Sequence, residues 1–304
     1  MKLLRTLTFS ACFTVVLSVH ARGAFADGPK PISDQAPSKP APAAPAEATK
    51  PRAARDVLFD PKGFGPVDPT TAKIVKNVEE TCHESPFSRD GMSPAEEAKC
   101  NVQVARLIGR GALAVPAIFA RLNDREGLES YYARTRLYHV LGRQHDQRVR
   151  AALVDALVWI GDTEPEDHAI DGPMIEESLT QAFGGAPAPT PPWVEEPVVE
   201  AWSEARSGAA RWADFARVHR GKSRGYIVSE TMTRARKELA SSDASAAYRA
   251  ISSLMLHAPR EAGRAAEAYA SREGLADEQQ SAFENLASEA EWKSSADYVR
   301  GARM

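Results

Sequence analysis

The stretch from Cys100 to Asp162 constrains the fold most strongly, because its apolar residues recur at helical spacing. Apolar side chains at positions i, i+3 or i+4 and i+7 share one face of an α-helix, whereas a half-buried strand alternates. Four such faces follow one another: Val102, Ala105 and Ile108; Val115, Ile118, Phe119 and Leu122; Ala133, Leu137, Val140 and Leu141; Val149, Ala152, Leu153, Ala156, Leu157 and Ile160. No strand pattern occurs elsewhere, so the predicted fold class is all-α.

Three of these helices contain the same apolar-apolar-Gly triplet near their expected ends. Glycine suits the left-handed position that terminates many helices, so the triplets predict three helix ends. They are Leu107-Ile108-Gly109, Val140-Leu141-Gly142 and Trp159-Ile160-Gly161. The fourth helix also carries Val154, Val158 and Trp159 on a second side. A helix that is apolar on two sides is expected to lie between neighbours.

The residues between Gly109 and Asp162 resemble HEAT-type α-helical repeats. The resemblance rests on a Gly-terminated helix, a short turn, the sequence Ala-Val-Pro-Ala-Ile that opens the next helix, and Leu-Asn-Asp that ends it. Arg148 to Asp162 looks like the second helix of such a pair. Over about residues 93–162 the resemblance implies stacked helical hairpins and protein binding. The glycine spacing is irregular, at 33 and then 19 residues. An irregular α-solenoid and a compact bundle are therefore both open.

The N-terminus has the layout of a secretory signal peptide over residues 1–26. Lys2 and Arg5 precede a short apolar stretch, and Ala24-Phe25-Ala26 offers small residues before Asp27. This pattern predicts cleavage after Ala26 and an exported protein, periplasmic or secreted. A lipidated Cys12 is the alternative, but little apolar sequence precedes it. No later segment was expected to cross a membrane.

Proline and glycine divide the rest of the chain. Residues 27–56 are rich in Pro, Ala, Ser and Lys, which predicts a disordered linker, because such a segment buries too little surface to offset its ordering entropy. A second Pro/Gly-rich linker at 184–192 separates a predicted HEAT-like helical domain, 57–183, from a C-terminal helical domain, 193–304. Asp68-Pro69 and the capping box Ser93-Pro94-Ala95-Glu96 predict two helix starts.

Two cysteines remain once the signal peptide has left. In an exported chain a pair of cysteines usually forms a disulfide, so Cys82 and Cys100 are predicted to be bonded. Two buried free thiols are the alternative. Antiparallel helices joined by the intervening polar loop would bring the two sulfur atoms together.

Several short motifs suggest chemistry, but none has the context that its chemistry needs. Residues 216–223 fit a loose phosphate loop and residues 221–225 fit a nucleophile elbow, yet both motifs require a strand that this sequence lacks. The acidic residues 164–168 with Asp171 lack calcium-loop spacing, and a solvated acidic loop explains them better. The histidines form no metal-binding group. No catalytic, cofactor or metal site is therefore predicted.

The strongest surface feature is a basic run from Arg206 to Lys237, with nine basic residues against Asp214 and Glu230. Such a run could bind an anionic partner, or it could be a solvated face neutralised by the acidic residues just upstream. The candidate binding residues are Arg211, Arg217, Arg220, Lys222 and Arg224. The whole chain has a net charge of −3, and its loss of three basic residues with the signal peptide makes it more acidic. A nucleic-acid partner is therefore not expected.

These observations favour a non-catalytic interaction or scaffold module of the bacterial cell envelope that binds a protein partner through stacked helices. Two alternatives stay open. One is an envelope structural protein that binds an anionic polymer or lipid surface through the basic run. The other is an enzyme whose site residues are scattered through the fold and leave no motif.

Overall fold

The computed structural model describes residues 57–82, 92–124, 130–163, 170–194, 202–241 and 243–295. The predicted signal peptide and linker lie outside the described residues, as do the acidic residues 164–168. Within the described residues the secondary structure is entirely helical, without a β-strand, which confirms the all-α class. The finer prediction of HEAT-like stacking stays a prediction.

Eleven α-helices and one 3-10 turn make up the described part of the chain. They are α1 Pro69–Thr81, α2 Pro94–Arg110, the 3-10 turn Gly111–Leu113, α3 Ala114–Asn123, α4 Tyr131–Arg143, α5 Gln147–Thr163, α6 Asp171–Phe183, α7 Trp202–Val218, α8 Arg224–Glu238, α9 Ala244–Met255, α10 Pro259–Ala270 and α11 Asp277–Ser294.

Both predicted helix starts are present, each with a side-chain cap. The carboxylate of Asp68 accepts a hydrogen bond from the Thr71 backbone N–H at 2.8 Å. At α2, Ser93 and Glu96 form the reciprocal capping box, in which the Ser93 N–H donates to Glu96 Oε2 at 2.8 Å. These caps satisfy backbone N–H groups that have no partner within the helix.

The predicted disulfide joins Cys82, just after α1, to Cys100 in α2, with a Cα–Cα distance of 5.1 Å. Both cysteines are fully buried. The bond turns the Cys100 side of α2 toward α1, so that Val104 and Leu107 are buried while Val102 is 50% exposed. Of the predicted inner face, Val102 and Ala105 are exposed, whereas Ile108 is partly buried against the first core cluster. The predicted phase of α2 is therefore wrong, since periodicity alone did not include the cysteine.

The three helices end within two residues of the glycines of their apolar-apolar-Gly triplets, as predicted, but none of these glycines adopts the left-handed conformation of a terminal cap. Helices α2, α4 and α5 each continue past the glycine, to Arg110, Arg143 and Thr163. Gly142 instead allows close approach of α4 to α6, because a Cβ atom there would lie 2.9 Å from Gln181 Oε1 and 3.0 Å from the Ser178 carbonyl oxygen.

The buried apolar residues form two clusters. The first draws on α1 to α7 and reaches Ile227 in the first turn of α8. As predicted, α5 lies between neighbours, packing against both α6 and α7. The second cluster begins at Ala235, near the end of α8, and continues through α9, α10 and α11. Helix α8 therefore contributes to both clusters, and the predicted domain division at 184–192 stays a prediction.

One described stretch, Pro94–Asn123, is long and apolar enough to cross a membrane by length and composition alone. It consists of α2, the 3-10 turn and α3, with Gly111 at φ 57° between the two helices. Seven of the ten residues of α3 are buried, and six of these belong to the first cluster. The apolar side chains of α3 therefore contribute to the protein's own core.

Candidate functional site

A groove of about 540 Å³ lies between α5 and α7 and is named here the α5–α7 groove. Its apolar surface comes from small side chains of the two helices and from Phe183 at the end of α6. Its lining residues are Gln147, Arg148, Arg150, Ala151, Val154, Asp155, Phe183, Ala213, Ala216, Arg217, His219, Arg220 and Gly221. Four arginines and one carboxylate give the groove a basic character.

Three arginines of the groove differ in how many hydrogen bonds and ion pairs they form with the rest of the protein. Arg148 donates to the Asp146 carboxylate at 2.6 Å and to the Gly63 carbonyl at 3.0 Å. Arg217 pairs with Asp214 at 3.2 Å, but both side chains are more than two-thirds exposed, so this pair contributes little to stability. Arg220 is exposed and forms no side-chain ion pair with any residue that the structure describes.

The fourth arginine, Arg150, is only 5% exposed. Its Nη1 donates to the Lys222 carbonyl oxygen at 3.3 Å, and its guanidinium lies over the Phe183 ring, 4.9 Å from the centroid. Its Nε is buried and has no hydrogen-bond partner among the described residues. Burial and the nearby positive charge of Arg224 lower the pKa of Arg150. Arg150 therefore carries a buried positive charge that no described carboxylate neutralises.

Of the five predicted binding residues, the structure places Arg217 and Arg220 in the groove. Lys222 and Arg224 lie beside it, where the turn after α7 leads into α8. Arg224 Nε donates to the Gln181 carbonyl at 3.1 Å. Arg211 lies elsewhere on α7 and donates to Ser207 Oγ at 3.3 Å. The structure thus brings four of the five to one region and separates Arg211 from them.

Much of the basic run is paired within the protein. Lys222 Nζ donates to Glu230 at 2.9 Å, and this hydrogen bond is the main cause of the lowered pKa of Glu230. Arg236 binds both oxygens of Glu261 at 2.9 and 2.8 Å. Three further pairs neutralise the run: Arg206–Asp162, Arg217–Asp214 and Arg234–Glu238. The run is therefore not a continuous field of free positive charge.

The loop with the loose phosphate-loop pattern is a helix–helix turn. Residues 216–218 end α7, residues 219–223 form the turn, and Ser223 caps α8 by accepting the Tyr226 backbone N–H at 3.2 Å. His219 is buried in this turn, with Nδ1 2.9 Å from the Phe215 carbonyl oxygen and Nε2 3.6 Å from Glu230. These contacts give His219 a structural role in the wall of the groove.

Asp171, grouped by sequence with the acidic residues 164–168, is fully buried and paired. Arg134 donates two hydrogen bonds at 2.8 Å to its two carboxylate oxygens, and the Tyr138 hydroxyl donates at 2.9 Å. Burial, followed by the Asp171 charge, raises the pKa of Tyr138. No group of three or more His, Cys, Asp or Glu side chains suited to a metal ion occurs in the described ranges.

A second groove, of about 500 Å³, lies between α1 and α3. Its charged residues are Lys76, Glu79, Arg121 and Asp124. Arg121 pairs with both acids, so this second groove has no excess of positive charge.

Sequence reasoning missed Arg148 and Arg150, because they lie on α5, far from the basic run. The sequence does contain a signal for Arg150. Arg150, Val154 and Val158 are spaced four residues apart, so Arg150 lies on the second apolar side of α5. A cation on an apolar helix face is either paired or available for binding.

No family model matches the chain, and neither a curated protein nor a solved structure matches it.

Proposed function

We propose that the chain is an exported, non-catalytic interaction module of the bacterial cell envelope that docks a protein partner in the α5–α7 groove. One observation carries the proposal: the groove joins an apolar surface to an arginine-rich rim. Protein interfaces combine an apolar centre with a polar rim, and arginine is enriched in them.

The resemblance of residues 93–162 to HEAT-type repeats supports a docking role. Members of that class bind proteins along surfaces formed by stacked helices. Helix α5 contains the last part of this region and forms one wall of the groove. The HEAT-like stacking is therefore part of the proposal.

Export is proposed from the signal-peptide pattern of residues 1–26. The disulfide between Cys82 and Cys100 supports it, because disulfides form and persist in oxidising compartments such as the periplasm. Periplasmic and secreted locations both fit this support.

The alternative of a polymer-binding or lipid-binding protein draws on the basic run. Such binding needs several accessible cations that act together over a broad surface. Internal pairing of Lys222, Arg236 and their neighbours reduces the charge available for it. The groove, with its apolar surface, fits a protein segment better.

The proposed docking function is tested by closing the groove with one substitution. Ala151 is an exposed residue of α5 that lines the groove, so Ala151→Trp places an indole where a partner would bind without disturbing the core. The mature protein and this variant are immobilised, incubated with cell-envelope extract and compared by quantitative mass spectrometry after cross-linking. We expect a defined protein to be enriched by the parent protein and lost with Ala151→Trp.

Ala120→Trp provides the matched control. Ala120 is also an exposed helical alanine, but it lines the α1–α3 groove. The Ala120→Trp variant should retain the partner that the Ala151→Trp variant loses. Identical protein sets for all three baits, or equal loss with both variants, would refute docking in the α5–α7 groove.

A further inference from the structure

Arg150 and Arg134 are buried to the same degree but in different electrostatic surroundings. Arg134 is 6% exposed and binds both oxygens of Asp171, so its charge is neutralised inside the protein. Arg150 is 5% exposed, and among the residues that the structure describes the Lys222 carbonyl is its only hydrogen-bond acceptor. Buried charges in proteins are normally paired, because an unpaired one loses its hydration without compensation.

The charged neighbours of Arg150 increase this imbalance. Arg224 is close enough to lower the pKa of Arg150, and Arg220, which also lines the groove, has no ion pair with any described residue. An arginine cannot relieve the repulsion by losing its proton. A negatively charged group that enters the groove would supply the missing counter-charge.

We propose that Arg150 forms the floor of an anion-binding subsite in the α5–α7 groove and receives a carboxylate from an acidic segment of the protein partner. This inference rests on the proposed docking function and adds the chemical class of the docked segment. Arginine suits the role, since its guanidinium binds a carboxylate with two parallel hydrogen bonds.

The shape of the groove favours an acidic peptide over a phosphate polymer or a membrane surface. The walls beside Arg150 are apolar, with Ala151, Val154 and Phe183 among the lining residues. Such walls accommodate small apolar side chains on either side of a carboxylate.

The test measures the binding of a fluorescein-labelled Glu/Ala peptide to the full mature protein by fluorescence anisotropy. A Gln/Ala peptide of the same length is the uncharged probe. Arg150→Met removes the buried charge, and Arg234→Met removes an arginine charge from the surface of α8, outside the groove. We expect Arg150→Met to weaken Glu/Ala binding by at least about tenfold. Arg234→Met should leave it unchanged, and the Gln/Ala peptide should not bind.

Thermal unfolding of the same variants separates a binding role from a structural one. Removing an unpaired buried charge should raise the melting temperature, whereas removing a structural arginine should lower it. A lower melting temperature for Arg150→Met would overturn the inference, as would equal peptide binding by the parent protein and Arg150→Met.

Polyphosphate and phosphatidylglycerol vesicles serve as two further probes. Arg150-dependent binding of either one, without Glu/Ala binding, would refute the acidic-peptide assignment in favour of a phosphate ligand. The two assays separate the subsite from the docking function. Arg150-dependent binding of the Glu/Ala peptide, combined with capture of the same envelope proteins by Ala151→Trp and the parent, would support the subsite and refute the docking function. If Ala151→Trp loses a partner but Arg150→Met keeps it, the docking function stands and the subsite fails.

Discussion

Single buried charges distinguish structural residues from candidate binding residues in this protein. The Arg134–Asp171 pair, with Tyr138 as a second donor, ties α4 to the first residue of α6. The charge of Arg134 is thus neutralised by a carboxylate of the same protein. Arg150 has no such carboxylate within the described part of the chain, and this difference in pairing, rather than burial, suggests a role in binding.

Loss of the buried carboxylate should be costly. Asp171→Asn leaves the Arg134 charge buried without its counter-charge, and we expect the free energy of unfolding to fall by about 3–5 kcal/mol. Urea denaturation measures the change. Asp214→Asn is the control, because it breaks the exposed pair with Arg217 and should cost less than about 1 kcal/mol. Equal losses for the two variants would contradict a structural role for the buried pair.

His139 makes stability depend on pH. Burial, together with the charges of Arg143 and Arg136, lowers the pKa of His139 from 6.5 to about 4. The Nε2 atom of His139 is buried and has no hydrogen-bond partner in the part of the chain that the structure describes. The unfolded chain therefore takes up the proton before the folded protein does. The contribution of His139 to stability is therefore expected to be fully present above pH 6.5 and to be lost as the pH falls toward 4.

The His139→Gln variant tests this pH dependence, because it removes the titrating group. We expect the parent protein to lose more unfolding free energy than the variant across the window from pH 6.5 to 4, as measured by urea denaturation at several pH values. Carboxylates contribute equally to both proteins and cancel in the comparison. Parallel curves would show that His139 titrates normally in the folded protein.

Among the structural elements, α8 and the segment that precedes α7 connect the two apolar clusters. Helix α8 places Ile227 in the first cluster and Ala235 in the second. The Pro/Gly-rich segment 184–192 leads to Trp193, whose ring contacts Tyr248 and Phe283 in the second cluster at centroid distances of 5.3 and 5.8 Å. The chain thus contacts the second cluster before α7 begins.

Trp193 should therefore stabilise the second cluster. Trp193→Ala removes these ring contacts and the hydrogen bond from Trp193 Nε1 to Ser245, 3.1 Å long. We expect a loss of about 3 kcal/mol in unfolding free energy. Trp292→Ala, at a tryptophan that is 61% exposed, should change stability by no more than about 0.5 kcal/mol. The same small effect at both sites would refute an anchoring role for Trp193.

For the molecule as a whole, the main prediction concerns export. Cleavage after Ala26 would give a mature protein that starts at Asp27 and has lost three basic residues. Intact-mass analysis of the protein purified from the cell envelope should give the mass of residues 27–304. A variant with Ala26→Lys should keep its leader, since the position before the cut requires a small residue. An unprocessed parent protein would contradict the proposed export.

The sequence by itself determined the all-α class, the helix starts at Asp68 and Ser93, and the pairing of Cys82 with Cys100. These features depend on local rules: helical periodicity, capping chemistry, and the tendency of two cysteines in an exported chain to pair. Such rules act over a few residues or require only compatible chemistry, so they can be identified without knowledge of the packing.

Only the tertiary structure decided which face of α2 is buried, which neighbouring helix requires a glycine at position 142, and which basic residues share a site. The buried face of α2 includes Cys100, which is bonded to Cys82 after α1. Gly142 leaves room for the close packing of α6 against α4. The α5–α7 groove combines Arg148 and Arg150 of α5 with Arg217 of α7 and Arg220 of the turn that follows it. Contacts between residues so far apart in the chain arise from packing, which local patterns do not encode.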